Sequence, residues 1–112
     1  MQIILRDLPK ISLNVWYSSS HWSKRKKIKD AYKIIVKNQF KDVLSKDKQY
    51  HVNYSFEFTK RPLDATNCTA MVKMIEDIIF EDDNYKIIKS ITIESMKSHQ
   101  DLVYIEITQL NK

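Results

Sequence analysis

The chain of 112 residues suits one domain with a modest hydrophobic core. It contains no glycine, which excludes the glycine-rich phosphate-binding loops of dinucleotide-binding folds, Walker-type ATPases and kinases. A single cysteine, Cys68, excludes an internal disulfide and a cysteine-based zinc site. No apolar run approaches the roughly 20 residues of a membrane span, and the sequence shows no signal-peptide core. We therefore expect a cytoplasmic protein that does not enter a membrane.

Charge is distributed unevenly along the chain. The net charge is +5, to which residues 1–48 contribute +8 and residues 49–112 contribute −3. A basic region attracts a polyanion, and grouped carboxylates can hold a divalent metal ion. This combination is typical of metal-dependent nucleases.

The first half of the chain predicts one strand and one long helix. Residues 2–8 are apolar and β-branched, which is typical of a strand. Residues 10–23 show no periodicity, and we interpret them as an ordered loop. Apolar residues recur with helical spacing over residues 24–45, and Ser23 is the predicted N-cap of this helix.

The middle of the chain predicts a half-buried strand followed by a second helix. Residues 50–59 alternate strictly between apolar and polar side chains, and residues 60–64 break the pattern. Asp64 or Thr66 is placed to cap the second helix. Its predicted core stripe consists of Met71, Met74, Ile75 and Ile78.

The end of the chain predicts two further strands. Residues 87–95 and 102–108 alternate and are rich in β-branched side chains, and residues 99–101 suit a hairpin loop. The predicted order is β-α-β-α-β-β. It indicates a single α/β domain in which two helices pack on a mixed sheet.

Acidic residues concentrate at both ends of the second helix. Asp64 precedes it, and Asp82 and Asp83 follow it with three further acids nearby. Two carboxylates from different segments that converge at a sheet edge would suit Mg²⁺, which prefers oxygen ligands and retains water for a substrate phosphate. The alternative interpretation makes Asp64 a helix cap and Asp82-Asp83 a solvated turn.

Basic residues are placed to meet a phosphate backbone. Four of them, Lys24, Arg25, Lys26 and Lys27, begin the first long helix, where the helix dipole disfavours cations unless an anion compensates. Lys60 and Arg61 precede Asp64, and Lys73 shares a helix face with Thr66, Ala70 and Asp77. Each of these has an alternative as an ordinary solvated side chain.

The remaining notable side chains favour structural roles. Trp16, Tyr17 and Trp22 could stack on bases, but we interpret them as core or interface anchors. Cys68 is expected to be a small buried side chain, and the three histidines show no metal-ligand spacing.

Two groups of residues together resemble a known family. Asp64-Ala-Thr66-Asn67, a helix with Lys73, Asp82-Asp83 and two alternating strands are similar to the RusA family of Holliday junction resolvases, many of which phages and prophages encode. Upstream, Ser12-x-Asn14-x-x-Tyr17 resembles the family's Ser-x-Asn-x-x-Tyr segment. The matches span nearly the whole chain in the family's order.

The resemblance implies a homodimeric, Mg²⁺- or Mn²⁺-dependent endonuclease that binds four-way DNA junctions and nicks two strands symmetrically, in the host cytoplasm if a phage encodes it. It implies catalytic and metal-binding roles for Asp64 and Asp83, with Asp82 beside them. Asn67 matches the asparagine that follows the family's aspartates, and we place it with the DNA-binding residues.

Two positions depart from the family pattern. Thr66 stands where the family has its second aspartate, and it offers a metal only a hydroxyl. Ala70 stands where the family has its lysine, and Lys73 lies one turn along the same face as a substitute. The alternatives are therefore a RusA-like protein that binds junctions without cutting them, and a phage module whose basic helix binds an acidic protein.

Overall fold

The structure is a computed structural model, and it describes residues 1–18 and 22–110. The chain forms β1 (Gln2–Arg6), α1 (Leu13–Ser18), α2 (Trp22–Gln39), β2 (Gln49–Phe58), a 3-10 turn (Ala65–Cys68), α3 (Thr69–Ile79), β3 (Ile88–Lys97) and β4 (Leu102–Leu110). The predicted mixed α/β domain is confirmed, although the observed order contains one helix more than the prediction.

The sheet has four strands in the order β1-β4-β2-β3. β2 runs parallel to β3 and antiparallel to β4, and β4 runs antiparallel to β1. The parallel pair is joined through α3, as a parallel pair requires a crossover connection. The sheet is therefore mixed, as the sequence predicts.

The core lies between one face of the sheet and the helices α2 and α3. The alternation predicted for β2 is confirmed, because its apolar side chains at every second position are all buried: Tyr50, Val52, Tyr54, Phe56 and Phe58. From the helices, Tyr32 and Val36 of α2 and Met71 and Ile75 of α3 are buried in the same cluster. Cys68 is fully buried there, as predicted. This packing fixes which face of α3 remains open to solvent.

The segment predicted as a loop contains a helix. α1 is only six residues long, too short for periodicity to indicate it. Ser12 precedes it, and its hydroxyl oxygen accepts a hydrogen bond from the Val15 amide at 3.0 Å, a typical N-cap contact. Residues 19–21 of the predicted loop lie outside the described residues.

The long helix begins and ends earlier than predicted. Ser23 lies inside α2 and is not its N-cap, because the helix already includes Trp22. α2 ends at Gln39, whose side chain accepts a hydrogen bond from the Arg6 amide and donates one to the Arg6 carbonyl. After the helix, Leu44 forms an isolated parallel bridge with Phe80. Tertiary pairing of these residues therefore replaces the last predicted turns.

The predicted hairpin between the last two strands is wrong. β3 and β4 are both strands, but β2 lies between them. Their connection crosses the end of β2, where the Ser98 amide donates to the Phe58 carbonyl and the carboxylate of Asp101 accepts from the Thr59 amide and hydroxyl. Alternation predicts a strand but not its neighbour, and this explains the error.

None of the helices in the described part of the chain has the length and apolar character needed to cross a bilayer.

Candidate active site

A cleft of about 330 Å³ lies between α1, α3 and the outer strand β3. It is open to solvent and combines apolar and charged walls. Its lining includes Trp16 and Tyr17 of α1, Ala70, Lys73 and Glu76 of α3, and Ile91 of β3. Of the features that suggested chemistry in the sequence, the cleft lining includes the aromatic side chains of α1 and Lys73, but neither the Asp82-Asp83 pair nor Asp64 and Thr66.

Lys73 and Asp83 meet beside this cleft. The Lys73 ammonium donates to the Asp83 carboxylate, which lies in the segment after α3, and it lies 3.4 Å from Asp77 Oδ1. The hydrogen bond from Lys73 lowers the pKa of Asp83, and the same bond raises the pKa of Lys73. The structure therefore brings together two of the three predicted catalytic residues in a charged pair.

Glu76 is a buried carboxylate immediately behind this pair. It is 8% exposed and accepts a 2.8 Å hydrogen bond from the Tyr54 hydroxyl. Burial raises the pKa of Glu76, and the nearby negative charges of Asp83 and Asp77 raise it further. Burial also raises the pKa of Tyr54, so the phenol remains a hydrogen-bond donor. Three carboxylates thus influence one another here, with Lys73 as the nearby counter-charge.

Asp82 has a different position from its neighbour. Its two carboxylate oxygens accept hydrogen bonds from the Asn84 amide at 3.1 Å and from Asn84 Nδ2 at 3.0 Å. These contacts close the turn in the manner of an Asx turn. Asp82 therefore shapes the segment that holds Asp83 against Lys73, and it is engaged by Asn84 where the sequence predicted a metal ligand.

Asp64 and Thr66 lie at the 3-10 turn before α3, whereas Asp82 and Asp83 follow the end of that helix. Asp64 occupies the cap position, where its carbonyl accepts the amides of Asn67 and Cys68 at 2.8 and 3.2 Å, but its side chain makes no capping bond. The Thr66 carbonyl accepts a bond from the Thr69 hydroxyl. Among the described residues, no hydrogen bond or ion pair joins Asp64 or Thr66 to Asp83, so the predicted convergence is not formed by direct contact.

The donor chemistry of the site suits a hydrated Mg²⁺ or Mn²⁺. No group of three histidine, cysteine or acidic side chains in residues 1–18 and 22–110 has the arrangement of a metal cage. Mg²⁺ commonly binds through one or two carboxylates, several waters and the substrate phosphate, so a cage is not required. The excess of carboxylate over ammonium charge around Glu76, Asp77 and Asp83 favours a cation. The chemistry of these side chains fits a metal held by Asp83, and Asp64 and the Thr66 hydroxyl are oxygen donors of the same kind, although they make no hydrogen bond or ion pair with Asp83 within the described residues.

Ala70 and Lys73 line the same cleft. Ala70 is 5% exposed and forms part of the α3 wall, where the family resemblance places a lysine. Lys73 lies three residues later, about one helical turn along α3, and its ammonium contacts Asp83. The predicted sharing of one face is confirmed for these two residues.

The cation-rich helix α2 adjoins the cleft through Trp16. Arg25 and Lys29 lie over the Trp16 ring, 5.3 and 5.7 Å from its centroid. Trp16 is half-buried and packs against the core, which confirms its role as an anchor. Tyr17 and Trp22 are 70% and 75% exposed, so neither lies in the core, and the alternative of an interface role for these two stays a prediction.

The other predicted DNA-binding residues are spread around this region. Lys24, Lys26 and Lys27 are exposed near the start of α2, and Lys26 forms a 2.8 Å ion pair with Asp30. Lys60 and Arg61 are exposed in the loop that leads from β2 to the 3-10 turn. Asn67 is half-buried in that turn.

Sequence reasoning missed Glu76 and Asp77 as members of the site. Both were visible as acids, and their spacing of three and four residues from Lys73 places them on neighbouring positions of the helix surface. Local pattern could not predict that Glu76 would be buried against Tyr54, because that contact joins residues 22 positions apart.

Comparison of the chain with protein-family models gives no match, and comparison with curated protein sequences gives no significant one. The similarity to RusA resolvases therefore depends on the residues quoted above.

Proposed function

We propose that the protein is a RusA-like endonuclease that binds four-way DNA junctions and nicks two strands with Mg²⁺ or Mn²⁺, acting as a cytoplasmic homodimer during DNA recombination and repair. The observation that carries the proposal is the charged pair of Lys73 and Asp83 beside a cleft that adjoins a cation-rich helix. A phosphodiester in this cleft would meet both an ammonium donor and carboxylates that attract a metal.

In this proposal each side chain has a distinct task. A bound metal would lower the pKa of a coordinated water and offset charge on the scissile phosphate. Asp83 and Asp64 would hold it, assisted by Thr66. Lys73 would donate from Nζ to a phosphate oxygen and stabilise the charge that develops on it, since its ammonium reaches the cleft and bears a raised pKa. Glu76 remains behind them, fixed by Tyr54.

The second candidate is a protein that binds junctions without cutting them. It is favoured by the Ala70 and Thr66 positions and by the absence of a direct contact between Asp64 and Asp83 within the described residues. In this case the Lys73–Asp83 pair would be a structural ion pair. The two candidates share the DNA surface and differ only in the chemistry of the cleft.

A cleavage assay separates them. Purified protein is incubated with a labelled four-way junction in Mg²⁺, Mn²⁺ or EDTA, and each mixture is run on native and denaturing gels. The Asp83→Asn variant tests the site, and Asp42→Asn, which removes an exposed acid from the loop after α2, is the matched control.

We expect paired symmetric nicks that require the metal, survive in Asp42→Asn and fall roughly 100-fold or more in Asp83→Asn, the scale for loss of a group that stabilises the transition state. A junction-specific shift without nicks would identify the non-catalytic protein. Equal affinity for a junction and for linear duplex of the same length would contradict both candidates and favour the module that binds an acidic protein.

A further inference from the structure

One ridge of α2 consists of four cations at intervals of four residues. It follows the core ridge of Ile28, Tyr32 and Val36 by one position and therefore flanks the buried stripe on one side. Such i, i+4 rows form continuous ridges inclined to the helix axis, with a rise of about 6 Å per step. We call this row the cationic ridge, and its members are Arg25, Lys29, Lys33 and Lys37.

Three members of the cationic ridge border a groove between α2 and α3. The groove has a volume of about 250 Å³ and an apolar floor made by Met74 and Ile78 of α3. Lys29, Lys33 and Lys37 form its α2 side. The three lysines thus lie along the edge of one concave surface. This arrangement differs from an ordinary solvated helix face, on which lysines are not grouped around a groove.

The acids that border this groove are already paired with other cations. Asp30 binds Lys26 at 2.8 Å, and Asp77 lies 3.4 Å from Lys73. Within residues 1–18 and 22–110, none of the ion pairs involves a member of the cationic ridge. The positive charge of the ridge is therefore not neutralised by an ion pair within the described residues, and it attracts anions.

The cationic ridge leads to the candidate active site. Its first two members, Arg25 and Lys29, lie over the ring of Trp16. The same ring lines the cleft that contains Lys73 and Glu76. The groove and the cleft are thus linked through Lys29, which lines the groove, and Trp16, which lines the cleft.

We propose that the cationic ridge binds the phosphate backbone of one arm of the DNA and guides that strand from the α2/α3 groove into the cleft. This inference rests on the proposed function and assigns a binding path to it. The ridge spans about 18 Å along α2, which corresponds to roughly five base-pair steps of duplex. A row of evenly spaced cations suits a regular polyanion, because contacts of this kind hold phosphates without reading sequence.

The test compares two triple variants that remove equal charge. Lys29→Gln/Lys33→Gln/Lys37→Gln neutralises the lysines of the cationic ridge. Lys41→Gln/Lys46→Gln/Lys48→Gln removes three exposed lysines from the segment between α2 and β2. Affinity for a labelled four-way junction is measured by fluorescence anisotropy in EDTA at several salt concentrations, and circular dichroism checks that both variants fold.

We expect the ridge variant to bind at least 10-fold more weakly at 0.1 M salt and the slope of log K against log salt to become shallower by about 2 to 3, since each lost phosphate contact contributes about 0.9. The control should change affinity less than 3-fold. A third variant, with arginine at the three ridge positions, should retain binding, because the requirement is for charge.

The outcomes distinguish the two proposals. Equal weakening in the ridge and control variants would overturn the cationic ridge as a binding path while leaving junction cleavage intact. A ridge effect on binding in a protein that produces no nicks would retain the ridge and overturn the endonuclease. A wild-type chain that binds no DNA, or one from which polyglutamate displaces the junction as effectively as unlabelled DNA, would overturn both.

Discussion

Two charged regions of this protein differ in whether their lysines form ion pairs within the described residues. On α3, Lys73 is paired with Asp83 and Asp77, and Glu76 is buried against Tyr54. Along the cationic ridge of α2, no ion pair within the described residues neutralises the lysines, although they border a groove. The proposed roles match this difference, because a catalytic site needs its groups held in place, whereas a surface that binds a polyanion gains affinity from unpaired cations.

The largest effect is expected from Tyr54→Phe, which tests the buried contact between Tyr54 and Glu76. The substitution keeps the ring in the core but removes the hydroxyl that donates to Glu76. Loss of a hydrogen bond to a buried carboxylate should lower the free energy of unfolding by about 1–3 kcal/mol. Urea denaturation of the variant and the wild type measures it. Tyr104→Phe on β4 is the control, and equal losses in both would show that the Glu76 contact is not the cause.

Glu76→Gln separates the charge of this residue from its hydrogen bond. Because burial raises the pKa of Glu76, the folded state binds a proton more readily than the unfolded state. The contribution of Glu76 to the stability of the metal-free protein should therefore fall as the pH rises from the ordinary glutamate value of about 4.3 through the raised value. The difference in unfolding free energy between wild type and variant should follow this window. A difference that is independent of pH would contradict the shift.

Trp16→Leu tests the contact between the cationic ridge and the cleft. Trp16 packs against the core while Arg25 and Lys29 lie over its ring, and each exposed cation–π contact is worth about 0.5–1 kcal/mol. We expect a loss of stability of about 1–2 kcal/mol. Trp22→Leu, at a position 75% exposed, should change stability by less than about 0.5 kcal/mol. Thermal melts that rank the two variants in the reverse order would contradict this assignment.

The smallest effect is expected at Asp101, an exposed carboxylate whose hydrogen bonds come from neutral donors. The Thr59 amide and hydroxyl donate to it and lower its pKa. The stability it contributes should be present above the ordinary aspartate pKa and be lost as the pH falls through the lowered value. The Tm of Asp101→Asn should thus lie slightly below that of the wild type at neutral pH and converge with it in acid. Convergence at high pH would refute the assigned direction.

The fold could be predicted from local pattern where burial on one face decides the structure. The alternation in β2 and the apolar spacing in α3 correctly predicted a strand and a helix, because burial of one face imposes its period on the sequence. Strand neighbours could not be predicted in this way. β3 and β4 each show a valid alternation, but β2 lies between them because of its own contacts with both.

The candidate site was predictable to a similar extent. Its acids and Lys73 could be found from residue type and spacing, since hard carboxylates near a lysine suit a metal and a phosphate. The pairing of Lys73 with Asp83 and the burial of Glu76 depend on the segment that follows α3 and on β2 beneath it. These contacts join residues 10 and 22 positions apart, beyond the reach of helical periodicity.

Composition and periodicity were enough to predict the class of domain, the basic character of α2 and the presence of acids around α3, because both are properties of the chain alone. Tertiary structure decided which of those charges remain free. Packing of α2 beside α3 placed Lys29, Lys33 and Lys37 along a groove. Asp77, which borders the same groove, forms its ion pair with Lys73. Charges interact over a few ångströms of space regardless of their separation along the chain, so only the folded arrangement separates a paired charge from one available to bind a partner.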